Sequence, residues 1–167
     1  YIFYLDPSVD LPPHAVRELA TVLDASADVV AAAPHLVNAE HVYKLPGIAE
    51  LDRACLTGAL AAVNVPESGD PVSVEYATRD ALMVRKSFVQ GMNFFDAHYG
   101  HSWGDLELAM QIRKAGRKTV VLPALHATWH EPQNSVEGSM PMAADRWLGA
   151  AAFIEKHQGF GPALKFR

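Results

Sequence analysis

Cysteine is almost absent from this chain: Cys55 is the single thiol among 167 residues. One cysteine closes no intrachain disulfide and builds no multi-cysteine zinc site. Positive charge is also short, with 14 Lys and Arg against 19 Asp and Glu and a net charge of −5. Nucleic-acid backbones are held mainly by Lys and Arg that neutralise phosphates, so this balance argues against a DNA or RNA partner. Long hydrophobic runs are missing as well. The apolar stretches, such as Val29 to Ala33, are strand-sized, far below the roughly 18–20 residues that cross a bilayer. The sequence opens with neither an initiator Met nor a signal peptide. Tyr1-Ile2-Phe3-Tyr4-Leu5 already reads as a buried strand, so the expectation is a fragment lacking its amino-terminal side.

What is present is a globular composition. Half the residues (50%) are apolar and 20% are charged, which excludes a disordered, collagen-like or coiled-coil chain. A domain near 150 residues buries roughly 70% of its unfolded surface, enough for a core without disulfide or metal staples. The length suits one domain.

The hydrophobic pattern predicts a βαβ start. Residues 1–5 are apolar at every position, as in a strand covered on both faces. Pro12 and Pro13 open a helix on Val16, Leu19, Ala20 and Leu23. A second apolar strand, Val29 to Ala33, is stopped by Pro34. Such a unit implies a mostly parallel α/β sheet flanked by helices.

Residues 35–46 lack a period and read as loop, and 47–62 suggest a helix on Ile48, Leu51, Cys55 and Ala62. Val72 to Val84 is strand-like with a break near Arg79-Asp80. Ser87 and Gln90 make a capping box for one short turn. Asp105 to Ala115 is the clearest helix, stopped by Gly116. Lys118 to Leu122 is a strand closed by Pro123, and 143–157 form an amphipathic helix on Trp147, Ala150, Ala151 and Ile154.

Asp6, Ser8 and Asp10 follow the carboxyl end of the first strand, where ligands bind in open α/β sheets. Carboxylates there suit a hard divalent cation such as Mg²⁺ or Mn²⁺. Asp6 or Asp10 as a cap of the Pro12 helix is the competing reading. Asp105 has the same duality, helix cap or reactive carboxylate. Glu107, two positions on, faces elsewhere on the helix. Four of the eight histidines, His98, His101, His126 and His130, gather in the second half near Asp96. His126 and His130 would stand about 13 Å apart on a strand, at roughly 3.3 Å per residue, so at most one of them binds a given ion. Trp103, beside Gly104 and Asp105, is a candidate site wall.

In order and spacing these pieces resemble the second half of a family 2 glycosyltransferase catalytic domain, of the GT-A fold. Leu5-Asp6-Pro7-Ser8 stands where that family has Leu-Asp-x-Asp, before the Pro-opened helix. Residues 81–96, ALMVRKSFVQGMNFFD, match its apolar strand, Arg-Arg/Lys pair, short helix and Gly-x-Phe-Asp, with one extra residue after Gly91. Gly104-Asp105-Leu106-Glu107-Leu108 matches the family's Glu-Asp-x-Asp-Leu. Arg113, Ala115-Gly116, Val120-Val121-Leu122 and Pro123 then match its Arg, Ala-Gly, strand and Pro in turn. His130 matches a His beyond that Pro.

The resemblance covers about residues 1–140, with 141–167 as a helical extension. It implies transfer of a sugar from a nucleoside-diphosphate sugar to an acceptor hydroxyl, with inversion. Asp105 would be the base and Asp6 and His130 the ligands of Mg²⁺ or Mn²⁺. Ser8 and Asp10 would lie at the donor diphosphate, and Asp80, Trp103 and Glu107 on the acceptor side. The acceptor would be a carbohydrate or a lipid-linked sugar of bacterial polysaccharide biosynthesis. The location would be cytoplasmic, with a peripheral contact to the inner membrane face as a further expectation.

Two departures matter. Ser8 replaces the second Asp of the metal motif, and Gly104 replaces the Glu before the base. They favour the alternative of a binding protein that kept the fold and lost catalysis. A metal-dependent hydrolase built on the histidines is the third reading. The resemblance also implies that the fragment alone is inactive, since the half contacting base and ribose is missing.

Overall fold

The computed structural model describes residues 1–38, 65–92, 99, 103–130 and 140–166. The helix expected over 47–62, together with Asp96, His98 and His101, lies outside them. The described elements are β1 (Ile2–Leu5), β2 (Val9–Asp10), α1 (Ala15–Ala25), β3 (Val29–Asn38), β4 (Val72–Val74) and β5 (Ala81–Val84). They continue with α2 (Lys86–Gly91), α3 (Gly104–Lys114), β6 (Lys118–Trp129), α4 (Met140–Gln158) and α5 (Phe160–Phe166).

The architecture is α/β, but the sheet is mixed rather than mostly parallel. Its order is β1-β5-β3-β6-β2, with β4 also paired to β6. β1 and β3 run in the same direction, as a βαβ unit requires, yet they are not neighbours. β5 lies between them and is antiparallel to both. Only the β3–β6 pair is parallel among the described strands.

Alternation along the strands assigns the two faces. Phe3, Met83, Val120 and Leu122 pack with Ala15, Leu19 and Leu23 of α1. Ile2, Tyr4, Leu82, Val84 and Val121 pack with Val89 of α2 and Leu108 and Ile112 of α3. The sheet is therefore a middle layer between α1 and the α2–α3 pair. Val16, counted in the apolar face of α1, is 53% exposed, and the stripe is Ala15, Leu19 and Leu23.

The prolines do not end their strands. β3 runs through Pro34 to Asn38, and β6 runs through Pro123 to Trp129. The pairing jumps from Pro34↔Leu122 to His35↔His126, so the unpaired residues 123–125 form a bulge in β6. Proline has no N–H to give a ladder, and a bulge is where a sheet interior tolerates it. Residues 35–38, expected as loop, are strand for this reason.

Helix ends are set by backbone and by long-range donors. Gly116 takes φ +63° after α3, its N–H bonds to the Arg113 carbonyl, and the Arg117 N–H bonds to that of Ile112. This Schellman pattern is the stop expected at Gly116. Asp6 and Asp10 do not cap α1, because His14 holds the N-cap position without a side-chain bond. Likewise Arg85, not Ser87, precedes α2, again without a side-chain cap bond.

The carboxyl-terminal segment is a pair of helices, the second unforeseen in the sequence. Among the described residues no helix is long and apolar enough to cross a membrane. Ala150, Ala151, Phe153 and Ile154 of α4 are buried, and Trp147, expected among them, is 53% exposed. Gly149 marks the closest approach. A Cβ there would stand 2.6 Å from Cδ1 of Trp103 and 2.7 Å from the Tyr99 carbonyl oxygen.

Replacing a helical glycine with alanine ordinarily gains about 1 kcal/mol. At Gly149 the added methyl meets a backbone carbonyl that no rotamer can move, and overpacking costs about 1–3 kcal/mol. Gly149→Ala is therefore expected to destabilise the protein, by about 1 kcal/mol net. Urea unfolding checks this: an unchanged or higher midpoint would contradict the close packing of α4.

Candidate functional site

The site begins where the β1–β5 ladder ends. Antiparallel pairing sets Leu5 opposite Ala81, and the next rung is a 2.7 Å bond from the Asp6 N–H to the Asp80 carbonyl. Two aspartates thereby flank the same end of the sheet. The Asp6 carboxylate turns back on its own chain. Its Oδ1 accepts the Ser8 N–H at 2.8 Å and the Ser8 hydroxyl at 2.5 Å, an Asx turn.

β2 adds the second cluster. Val9 pairs with Trp129 and Asp10 with Thr128, and the His130 N–H donates to the Ser8 carbonyl at 2.8 Å. The same pairing sets His130 Nε2 2.8 Å from Asp10 Oδ2. Ser8 thus links the two aspartates' neighbourhoods, its hydroxyl on Asp6 and its carbonyl on His130. Sequence separation hides this arrangement, since β2 is two residues long and His130 lies 120 positions beyond Asp10.

Asp105 enters from the first turn of α3. Trp103, not Asp105, holds the N-cap position, without a side-chain cap bond. Asp105 Oδ1 accepts the Leu106 N–H at 2.9 Å, and Oδ2 accepts the Tyr76 hydroxyl at 2.6 Å. Burial raises the carboxyl's pKa, and the Tyr76 bond and the Arg79 charge offset only part of that rise. The Tyr76 phenol is pushed well up, first by burial and then by the Asp105 charge.

Asp80 joins the two groups electrostatically. Burial raises its pKa first, the Thr78 side chain opposes, and the Asp6 and Asp105 charges raise it further. Asp6, Asp80 and Asp105, from three separate stretches, therefore share one electrostatic neighbourhood with Tyr76 and Arg79. Neither Tyr76 nor Arg79 stands out in the sequence as a site residue. Tyr76 sits in a strand-like stretch where an aromatic is unremarkable, and its partner is 29 residues away.

Glu107 faces away from this corner. It is buried (1% exposed), and Oε1 accepts Lys156 Nζ at 2.8 Å and Gln111 Nε2 at 2.6 Å. His157 Nε2 lies 2.5 Å from Oε2. Burial raises the Glu107 pKa, but these three donors outweigh it and hold the carboxyl below its ordinary value. Trp103 is likewise buried, at 5% exposure, in a cluster with Tyr99 and Phe153. Glu107 and Trp103, expected on the acceptor side, thus lie in the interface between α3 and the carboxyl-terminal helices.

The donor set for a cation is incomplete. Among the described residues no three His, Cys, Asp or Glu side chains converge on a point that an ion could occupy. His130 is engaged by Asp10, and one Asp6 oxygen by Ser8. As arranged, Asp6 and His130 do not make a metal centre by themselves. His126, the other His of this strand, points to the Glu67 carbonyl at 3.1 Å.

No family model matches the chain, and no curated protein matches it in sequence. Among solved structures it is similar to the crystal structure of GalNAc-T7 with UDP, GalNAc and Mn²⁺, with a TM-score of 0.58 at 11% identity. The likeness covers 92% of this chain but 31% of the GalNAc-T7 chain, so this chain spans under a third of that protein's length. Such distant identity speaks for the architecture alone and not for one glycosyltransferase family. The α/β chain has a GT-A-like fold.

Proposed function

We propose that this chain carries the acceptor-activating part of a nucleotide-sugar glycosyltransferase, with Asp105 as general base. The observation that carries this reading is Asp105 itself: a carboxylate with a raised pKa, bonded to Tyr76, beside Asp80 and the end of β1. The GT-A-like fold, shared with a protein solved with UDP and GalNAc, supports the same reading. Residues 1–140 form the catalytic part in this proposal, and 141–167 a helical extension. Family 2 membership rests on the motif resemblance alone.

The chemistry asked of these residues is an inverting displacement. The acceptor oxygen forms a bond to the anomeric carbon as the bond from that carbon to the diphosphate breaks. The diphosphate leaves with the electron pair, and the acceptor proton passes to Asp105. A positioned base of raised pKa suits this step, since proton transfer is most effective when the base's pKa approaches the working pH. The Tyr76 hydroxyl fixes one carboxylate oxygen. Asp80 is assigned to the acceptor side, Ser8 and Asp10 to the donor diphosphate. A divalent ion, if bound beside Asp6 and His130, would offset charge on the diphosphate, but the donor set is incomplete and no step here depends on it.

A second reading is favoured by one observation. Ser8, where the family has an aspartate, closes one oxygen of Asp6 rather than offering a ligand. A binding protein on the same fold would show this. A nucleoside-diphosphate sugar tested on the intact protein separates the two: release of the diphosphate supports the transferase, and binding without release supports the alternative.

Asp105→Asn tests the base. The variant keeps size and shape, and its single carbonyl oxygen can accept the Tyr76 hydroxyl at the expense of the Leu106 N–H bond, while turnover is expected to fall by about a hundredfold or more. Stability moves the other way. Because the folded-state pKa is raised, the carboxyl favours the fold below its ordinary pKa, and that contribution is lost as pH rises through the raised value. At neutral pH the asparagine variant should match or exceed the wild type in thermal melting, with the advantage vanishing in acid. Near-wild-type turnover by the folded variant would remove Asp105 from the mechanism.

Ser8→Asp tests the metal question. The substitution sets a second carboxylate beside Asp6 and should tighten Mn²⁺ binding, read by calorimetry, over the wild type, with the gain lost when Asp6→Ala is added. Equal affinity of Ser8→Asp and wild type would exclude this corner as an ion site.

A further inference from the structure

The Asp105 helix is tied to the carboxyl-terminal helix through a buried carboxylate, Glu107, that the displacement does not use. Glu107 sits two residues beyond Asp105 on α3, with its carboxylate inside the α3–α4 interface. Lys156 and His157, consecutive on α4, both meet it, and Gln111 of its own helix donates a third bond. Lys114 Nζ lies 3.1 Å from His157 Nδ1. An ammonium has only donors to offer, so Nδ1 accepts and Nε2–H is left to donate to Glu107.

The same interface continues to Tyr76. Tyr99, Trp103, Leu106, Ala150, Phe153, Ile154 and Ala163 form one apolar cluster, and Tyr76 packs against it. The ring that supplies the hydrogen bond to Asp105 therefore packs on a cluster to which α4 and α5 also contribute. Its hydroxyl points to Asp105, and among the described residues Arg79 and Asp80 are the other charged groups near that carboxylate. Glu107 is the buried acceptor that Lys156, His157 and Gln111 share, so losing it unpairs all three contacts at once and the docking of α4 depends on it.

We propose that Glu107 is a positioning residue: with Lys156 and His157 it fixes α4 on α3, and the docked α4 holds Tyr76 with its hydroxyl on Asp105. The carboxyl-terminal helix is then part of the site's construction and not an appendage. This rests on Asp105 being the base only for its catalytic consequence. The structural coupling stands apart from that assignment and is readable without any substrate.

The test is the titration of Asp105, followed by carbon NMR of aspartate-labelled protein and assigned by its loss in Asp105→Asn. Tyr76→Phe deletes the donor, so the Asp105 titration is expected to move to higher pH than in the wild type. Glu107→Gln loosens α4 and with it the Tyr76 bond, so it is expected to move the titration the same way, and to move it no further when combined with Tyr76→Phe. Lys156→Met removes the outer, half-exposed partner and should give the same direction in smaller measure, which keeps the test alive if Glu107→Gln does not fold. Gly149→Ala, which pries α4 away at another point, should act in the same direction as Glu107→Gln.

A merely structural role for Glu107 predicts lower melting temperatures with the Asp105 titration unmoved in the folded protein, and that result overturns the proposal. Turnover adds a second distinction. Shifted titrations with Asp105→Asn still fully active would uphold the coupling while refuting the base. Unshifted titrations with Asp105→Asn inactive would uphold the base and refute the coupling.

Discussion

A strand of four residues constrains everything else in this fold. Every residue of β5 is buried, at 0–3% exposure, because β1 and β3 cover its edges and helices cover both its faces. Its antiparallel insertion between two strands of common direction puts its two ends to different uses. At the start, Asp80 is drawn beside Asp6 by one further rung of the ladder. At the finish, Arg85 leaves the strand and gathers the α1–β3 connection. Its Nε donates to the Val29 carbonyl at 2.9 Å, and Nη2 donates to the carbonyls of Leu23 and Ser26.

Those carbonyls matter because the last turn of a helix has acceptors with no partners of its own. A guanidinium has five donors and no protonation change in the physiological range, so one side chain serves the end of α1 and the start of β3 together. Arg85 thereby anchors the finish of β5, while at its start the ladder with β1 sets Asp80 opposite Asp6. Of the pair that reads as basic in the sequence, Arg85-Lys86, Arg85 is in the structure a clamp on the α1–β3 connection, one strand-length from the acidic corner.

Local signals carried much of the fold and little of the site. The strands at 1–5 and 81–84, the Gly116 stop and the α3 helix are all decided within a few residues, by apolar runs, propensity and a left-handed glycine. Strand direction is not, because an apolar run reads the same in parallel and antiparallel company. Pro34 and Pro123 misled for a related reason: each is a strand breaker alone, and only their nearness across the β3–β6 pair makes a shared bulge that lets both strands continue. The acidic residues Asp6, Asp80 and Asp105 were visible one at a time. Their nearness depends on β5 lying beside β1, and the Tyr76–Asp105 and Asp10–His130 contacts depend on pairings 29 and 120 residues apart. Glu107 was legible only as a residue facing away from Asp105, since Lys156 and His157 lie in a helix whose docking no pattern announces.

Asp105 and Glu107 show how one helix turn can hold two carboxylates in opposite states. Both are withdrawn from water, which by itself favours the protonated form of each. Glu107 meets an ammonium, an imidazole N–H and an amide, so its charge is satisfied and its pKa falls. The Asp105 pKa is raised by burial, and the Tyr76 phenol, the Arg79 charge and backbone N–H groups offset only part of that rise. The first arrangement suits a fixed pair that holds helices together, and the second suits a group that must accept a proton and give it up again. Two positions apart on a helix point about 200° apart, so the sheet-side corner and the α4 interface can impose these opposite environments without competing. The short spacing Asp-x-Glu at the start of α3 thus places two carboxylates in contrasting environments, one whose partners only partly offset burial and one whose donors outweigh it.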